Sequence, residues 1–187
     1  MLTQEKLQDD TRHRLIMAGL IVFGQQGFEG ASTREIAAQA QTNIASIAYH
    51  FGSKEKLYIA VADYIAGEMS AQIDRFELFL GDSLPLIQSG ELPSAQAIVL
   101  LKKICRQWID ELFSKRKHHL GWMSFIVREE ANATEAFNIL YSRGMGRFLS
   151  VMANLIGCIK RLPPTDFCVR FEAFALIGLM LSFEHKR

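Results

Sequence analysis

Apolar residues recur along this chain at three- and four-residue intervals, and strict alternation never lasts more than a few positions. That spacing predicts helices with one buried face. A first helix is predicted from Thr11 to Gln25, with Leu15, Ala18, Gly19, Val22 and Phe23 inward. Gln26-Gly27 ends it, glycine being suited to a left-handed cap. Ser32-Thr33-Arg34-Glu35 then reads as a capping box, in which a hydroxyl and a carboxylate satisfy free N–H groups of a second helix. Ile36, Ala37 and Ala40 are that helix's inward face. Gln41-Thr42 turns the chain, and Asn43 caps a short third helix. Its Ile44, Ile47, Ala48 and Phe51 fall at i, i+3, i+4 and i+7, while Ser46, Tyr49 and His50 stand on the other side. Gly52 stops it, and Ser53 caps a long fourth helix that runs to about Leu80 with Leu57, Ala60, Val61, Tyr64 and Ile65 inward.

Glycine, proline and serine cluster between Gly81 and Ser94, the signature of a linker or loosely ordered loop. Beyond it, helices are predicted near 95–114, 119–130, 134–160 and 165–187, the last two separated by Pro163-Pro164. The predicted fold class is all-α. Two short helices joined by about three residues, one helix before and a long one after, describe a helix-turn-helix unit. In such a unit the second short helix enters the DNA major groove. Ser46, Tyr49 and His50 would then face the groove and its phosphate walls.

Composition narrows the class. The chain has 187 residues, 49% hydrophobic and 22% charged, the balance of a globular protein. Its net charge of +1 supplies no overall field toward nucleic acid or membrane. Residues 1–64 carry six Lys or Arg against seven Asp or Glu, so any basic face must come from local placement of Arg34, His50, Lys54 and Lys56. Three cysteines without a CxxC pair suggest reduced thiols and a cytoplasmic setting. The polar start MLTQEKLQDD does not read as a secretory leader, and the apolar run Phe171–Phe183 is too short to span a bilayer. No membrane partner is predicted.

The segments TRHRLIMAGLIVFGQQGFEGAS, TREIAAQA and NIASIAYHFGSKEKLY resemble the N-terminal domain of TetR/AcrR-type transcriptional regulators. NIASIAYHFGSKEKLYIAVADYI looks closest to the CecR-like branch, and REEANATEAFNILY resembles a stretch of that branch's C-terminal domain. The resemblance implies a helix-turn-helix DNA-binding domain over 1–56 and a helical ligand-sensing and dimerisation domain over 57–187. It implies a homodimer on a pseudo-palindromic double-stranded operator, released by a small apolar or amphipathic ligand, with efflux or detoxification genes as targets. Position by position, Thr33 matches a threonine that touches phosphate, and Arg34 lies beside it. Asn43 matches the recognition-helix cap. Ala45 and Ser46 match positions against base edges. Tyr49 and His50 match contacts to phosphate or the groove wall, and Lys54 matches a lysine that reaches the backbone. Gln41 stands where glycine is common and Thr42 where valine is common. Ile44 occupies a position often polar, so it either meets a thymine methyl or belongs to the core.

After residue 100 the chain concentrates Trp, Phe and Met. Trp108, Trp122, Phe125, Phe137, Tyr141 and Phe148 read either as packed core or as the lining of an apolar pocket, which the resemblance implies. Phe113, Met123 and Met145 belong to the same set. Arg128 and Arg143 would orient a ligand there, or pair with Glu129, Glu130 or Glu135. Lys115-Arg116-Lys117-His118-His119 reads as a solvated run rather than an anion or metal site. Ser46 and His50 lack an acidic orienter, so they do not read as a catalytic pair. No enzyme activity, metal or cofactor is predicted. The rival readings are a helical enzyme and a protein-interaction module that does not bind DNA.

Overall fold

A computed structural model describes residues 4–114 and 116–182, with side chains described for 9–110 and 121–180. Phe113 and the Lys115–His119 run therefore lie outside the described side chains. Among the described residues every regular element is helical: α1 Gln4–Gly30, α2 Thr33–Gln39, α3 Ala45–Phe51, α4 Lys54–Leu80, α5 Ser83–Ser89, α6 Ser94–Ser114, α7 Arg116–Ala131, α8 Glu135–Leu140, a π-helical turn Tyr141–Met145, α9 Gly146–Lys160 and α10 Phe167–Ser182. Contacts divide the chain into two compact units, 1–67 with 117–140, and 68–116 with 141–187. This partition follows packing and differs from the functional division expected after residue 56.

In the first unit, the stripe predicted for α1 is buried, and so are Ile16 and Leu20 on a neighbouring stripe. The second stripe exists because α7 lies across α1. A Cβ on Gly121 would stand 3.2 Å from Leu20, and one on Gly24 would stand 3.0 Å from the Gly121 carbonyl oxygen. Two glycines thus let the helices approach closely. α1 loses regularity at Gly27, as expected, though with a different backbone. Its φ of 76° and ψ of 178° fall outside the left-handed helical region, in a region open essentially only to glycine. Arg128 occupies the space beside it, donating from Nε to the Gly24 carbonyl at 3.0 Å and from Nη2 to the Gln25 carbonyl at 2.6 Å. These are carbonyls that a helix end leaves without internal partners. The guanidinium that was a candidate to orient a ligand is thus bonded to the carbonyls before the Gly27 break in α1.

The next residue, Glu129, is buried and does comparable work on α4. Its Oε1 accepts the Tyr58 hydroxyl at 2.5 Å, and its Oε2 accepts both the backbone N–H and the hydroxyl of Thr134, at 3.1 and 2.8 Å. A buried carboxylate is tolerable only with such partners. Burial, and then the bond to Glu129, push the Tyr58 phenol above its ordinary pKa.

The second unit buries Ile73, Phe76, Trp108, Phe148, Met152, Leu155 and Val169 in one apolar cluster. Arg147 of α9 reaches three groups on α4: Ser70 Oγ at 2.7 Å, Asp74 Oδ1 at 2.8 Å and Glu77 Oε2 at 3.0 Å. Two expectations need correction here. The stretch 81–94 contains α5, whose Ile87 is buried and whose end is the left-handed Gly90. Its seven residues and Pro85 hid it, although proline is compatible with a helix's first turn. The single helix expected over 134–160 is interrupted by the π-helical turn, where Gly144 packs so closely that a Cβ would stand 3.0 Å from Met69 Cβ and Sδ. α9 and α10 are joined through Arg161 in the left-handed conformation, and the Lys160 ammonium pairs with the Glu172 carboxylate.

Tyr58→Phe strands one oxygen of buried Glu129 and is expected to lower stability by about 1–3 kcal/mol. The pH dependence has a definite sign. Because the folded pKa is raised, the bond's contribution is complete below the ordinary value of 10.0 and is lost as pH rises from there through the folded pKa. Urea titrations at neutral pH and above pH 10 should show wild type losing stability more steeply than Tyr58→Phe. Parallel losses in the two proteins would contradict the assignment.

Candidate nucleic-acid interface

The α2–α3 corner is set by local chemistry. Ser32 Oγ accepts the Glu35 backbone N–H at 3.1 Å, and the Glu35 carboxylate in turn accepts from Gln26 Nε2 at the end of α1. After α2, Gln41 adopts φ 53°, so this chain keeps a left-handed turn without glycine. That conformation costs a residue with a Cβ roughly 1–2 kcal/mol. Asn43 caps as expected, its Oδ1 accepting the Ala45 N–H at 2.9 Å. Gly52, at φ 84°, ends α3, and Ser53 Oγ accepts the Lys56 N–H at the start of α4.

The buried stripe of α3 is narrower than its periodicity predicted. Ile47 and Phe51 are buried, but Ile44 is 50% exposed and Ala48 is exposed as well. Of the two readings open for Ile44, membership of the core is excluded. Ala45 is exposed and Tyr49 is 70% exposed, so Ile44, Ala45, Ala48 and Tyr49 share the outward face. Ser46 is half-buried, and its hydroxyl shares a 3.0 Å hydrogen bond with Thr42 Oγ1. His50 is half-buried with its ring edge-on to Tyr49, centroids 4.9 Å apart.

The flanking cations are held by aromatic rings. Lys54 Nζ lies 4.4 Å from the Phe28 ring centroid, and the Arg12 guanidinium lies 5.3 Å from that of Phe51. Such contacts orient a charge without neutralising it. Phe28 belongs to an aromatic series: Phe28 to Tyr58 at 5.2 Å, Phe23 to Tyr58 at 4.9 Å and Tyr58 to Phe125 at 4.6 Å. Thr33 is half-buried at the first position of α2, and Arg34 beside it is exposed. Sequence reasoning missed Arg12 and Phe28, because neither stands in the motif and only the fold brings them to it.

The ligand candidates fall into both units. Trp122 and Phe125 are buried and Phe137 half-buried in the first, together with Arg128. Trp108, Tyr141 and Phe148 belong to the second. Trp108 and Phe148 stack at 4.3 Å, and buried Trp108 Nε1 has no hydrogen-bond acceptor among the described residues. Tyr141 is exposed in the π-helical turn, which also carries Arg143. No described helix is long and apolar enough to cross a membrane, and the described residues hold no metal-ligating cluster.

A short capped helix, anchored from behind and presented outward, defines the helix-turn-helix class of transcriptional regulators. The family model of bacterial regulatory proteins of the tetR family matches residues 15–61, and that of the C-terminal domain of the HTH-type transcriptional dual regulator CecR matches residues 97–187. The chain is 33% identical over 175 residues to the HTH-type transcriptional dual regulator CecR of Shigella flexneri, covering 94% of this chain and 76% of that protein. It is 36% identical over 74 residues to the HTH-type transcriptional repressor NicS of Pseudomonas putida, 40% of this chain and 35% of that one. The chain belongs to the TetR family of transcriptional regulators, in its CecR-like branch. The fold is shared with HlyIIR, a hemolysin II transcriptional regulator (TM-score 0.67, 17% identity, 96% of this chain and 89% of that one). It is shared too with AibR, solved with isovaleryl coenzyme A and operator DNA (TM-score 0.63, 17% identity, 95% of this chain and 87% of that one).

Proposed function

We infer that this chain is a cytoplasmic, dimeric repressor. It holds a pseudo-palindromic duplex through residues 33–54 and releases it when a small apolar or amphipathic molecule binds within residues 57–187. The observation that carries the DNA reading is α3 itself: Ile47 and Phe51 anchor it, and its opposite face, with Ala45, Ala48 and Tyr49, is exposed. Thr33, Arg34 and Lys54 take phosphates, Tyr49 and His50 the groove wall, and Ile44, Ala45 and Ser46 the base edges, around the cap made by Asn43. Efflux or detoxification genes are proposed as the targets on the strength of the family.

α10 supports the dimer. Val169, Ala173 and Met180 are buried on one side, while Phe167, Phe171, Phe174 and Leu179 are each at least 60% exposed on another. The three phenylalanines, with Leu149, Thr165 and Arg170, border an open groove of about 410 Å³. A second copy is the occupant proposed, since a palindrome needs two recognition helices related by a two-fold axis. For the ligand, the unsatisfied Trp108 N–H beside Phe148 is a donor that a polar ligand atom would satisfy in apolar surroundings. The neighbour solved with an acyl coenzyme A and operator DNA supports an amphipathic molecule.

Selection from random duplexes should enrich a palindrome. On that duplex, Lys54→Ala should weaken binding across sequences and reduce the slope of log Kd against log salt by about one phosphate contact. An unchanged slope would remove Lys54 from the interface. In sedimentation at micromolar concentration, wild type should be a dimer, and Phe171→Glu or Leu179→Glu a monomer; mutants that dimerise normally would move the interface off α10. An inducer found by thermal shift should raise the melting temperature and release the duplex. Trp108→Phe should lower its affinity, and a variant with unaltered affinity would place the pocket elsewhere.

A further inference from the structure

The outward face of α3 states how a duplex would be discriminated, granted that this is an operator-binding surface. The side chains that make paired hydrogen bonds to guanine or adenine are Arg, Lys, Asn and Gln, and those that accept from cytosine are Asp and Glu. α3, ASIAYHF, contains none of the six. Asn43, just before it, has its amide oxygen on the Ala45 N–H and so is not set for the paired contact to adenine. The Ser46 hydroxyl, already bonded to Thr42, has a single further bond to offer a base edge. What α3 and the residue before it turn outward is Ile44, Ala45, Ala48 and Tyr49. These are neighbours at i, i+3 and i+4, so they form one uncharged and largely hydrocarbon strip.

A hydrocarbon strip gains nothing from phosphates. In the major groove the one apolar feature on a base edge is the thymine 5-methyl group. The geometry points to a half-site read chiefly through thymine methyls, with Ile44 and Ala45 making the foremost contacts and Ala48 the next turn. Orientation on the duplex comes from Arg34, Lys54 and Arg12, the last two already held on the faces of Phe28 and Phe51. Sequence preference is therefore carried by contacts that exclude water from methyl groups, and guanine N7 contributes little.

The test uses the full-length protein and the palindrome enriched from random duplexes, all at one salt concentration. Each thymine of a half-site is replaced in turn by deoxyuridine, which pairs identically and lacks only the methyl. Each guanine is replaced by 7-deazaguanine, which lacks the N7 acceptor. Every thymine that is read should lose about fourfold in Kd on losing its methyl, and 7-deazaguanine should cost less than twofold. Ile44→Ala should weaken binding to the thymine duplex yet bind the fully uracil-substituted duplex as wild type does, with circular dichroism confirming that both proteins are folded. Uracil substitution without effect, together with large losses at 7-deazaguanine, would overturn the methyl reading while leaving operator binding intact. Absence of any duplex binding overturns both.

Discussion

A helix of seven residues has no stability of its own in water, because the cost of nucleating it is not recovered over so few hydrogen bonds. α3 exists only because Ile47 and Phe51 are buried against the rest of its unit, each side chain contributing about 1.5–3 kcal/mol. Two anchors are few, so its bearing depends on what fixes the corner around it. Gln41 is held left-handed in the turn before it, Asn43 closes its first N–H, and Gly52 ends it. Each of these acts within four residues of the helix. The frame that makes them coherent is farther off in sequence.

That frame includes α7. The unit that holds α3 is assembled from two separated stretches, and the later one is joined to the earlier at adjacent residues. Arg128 closes the carbonyls of α1 that precede its break at Gly27, while Glu129 accepts from Tyr58 on α4. The two helices that flank the helix-turn-helix are therefore tied to one turn of α7 by charge-assisted bonds, the stronger kind. Thr134 completes the arrangement by donating twice to the same carboxylate. Tyr58 also lies in the aromatic series that ends at Phe28 and Lys54, so static contacts run without a break from α7 to the Lys54 ammonium.

Much of this was legible in the sequence, for identifiable reasons. Caps are local, so Ser32, Asn43 and Ser53 could be read directly. Helix existence follows from apolar period, and the long helices were found within a few residues of their ends, α1 excepted, which begins seven residues before the expected Thr11. α5 was missed because its seven residues offer too little period to recognise. The π-helical turn was missed because its five residues are too few to show a period of their own. Arg128 could be noticed as a functional candidate, but its partners are 103 and 104 residues away, and no spacing rule reaches that far. Phe28 and Arg12 were invisible for the same reason.

Ile44 and Ala48 show where periodicity stops carrying information. Ile44 and Ala48 fit the stripe of Ile47 and Phe51 in the sequence, yet they face solvent. α10 repeats the case, with buried Val169, Ala173 and Met180 beside exposed Phe167, Phe171 and Phe174. Periodicity reports that a side chain avoids water; it does not say whether the cover comes from the same chain. The company each strip keeps separates the two. On α3 the apolar groups are small, apart from Tyr49 and Ile44, and held cations flank them, which suits a groove of methyls between phosphate walls. On α10 they are large aromatic rings, two of them stacked at 6.1 Å, the kind of side chain that fills the centre of a protein interface. The same physical demand, hydrocarbon to be removed from water, is met by the proposed operator at α3 and by the proposed second copy at α10.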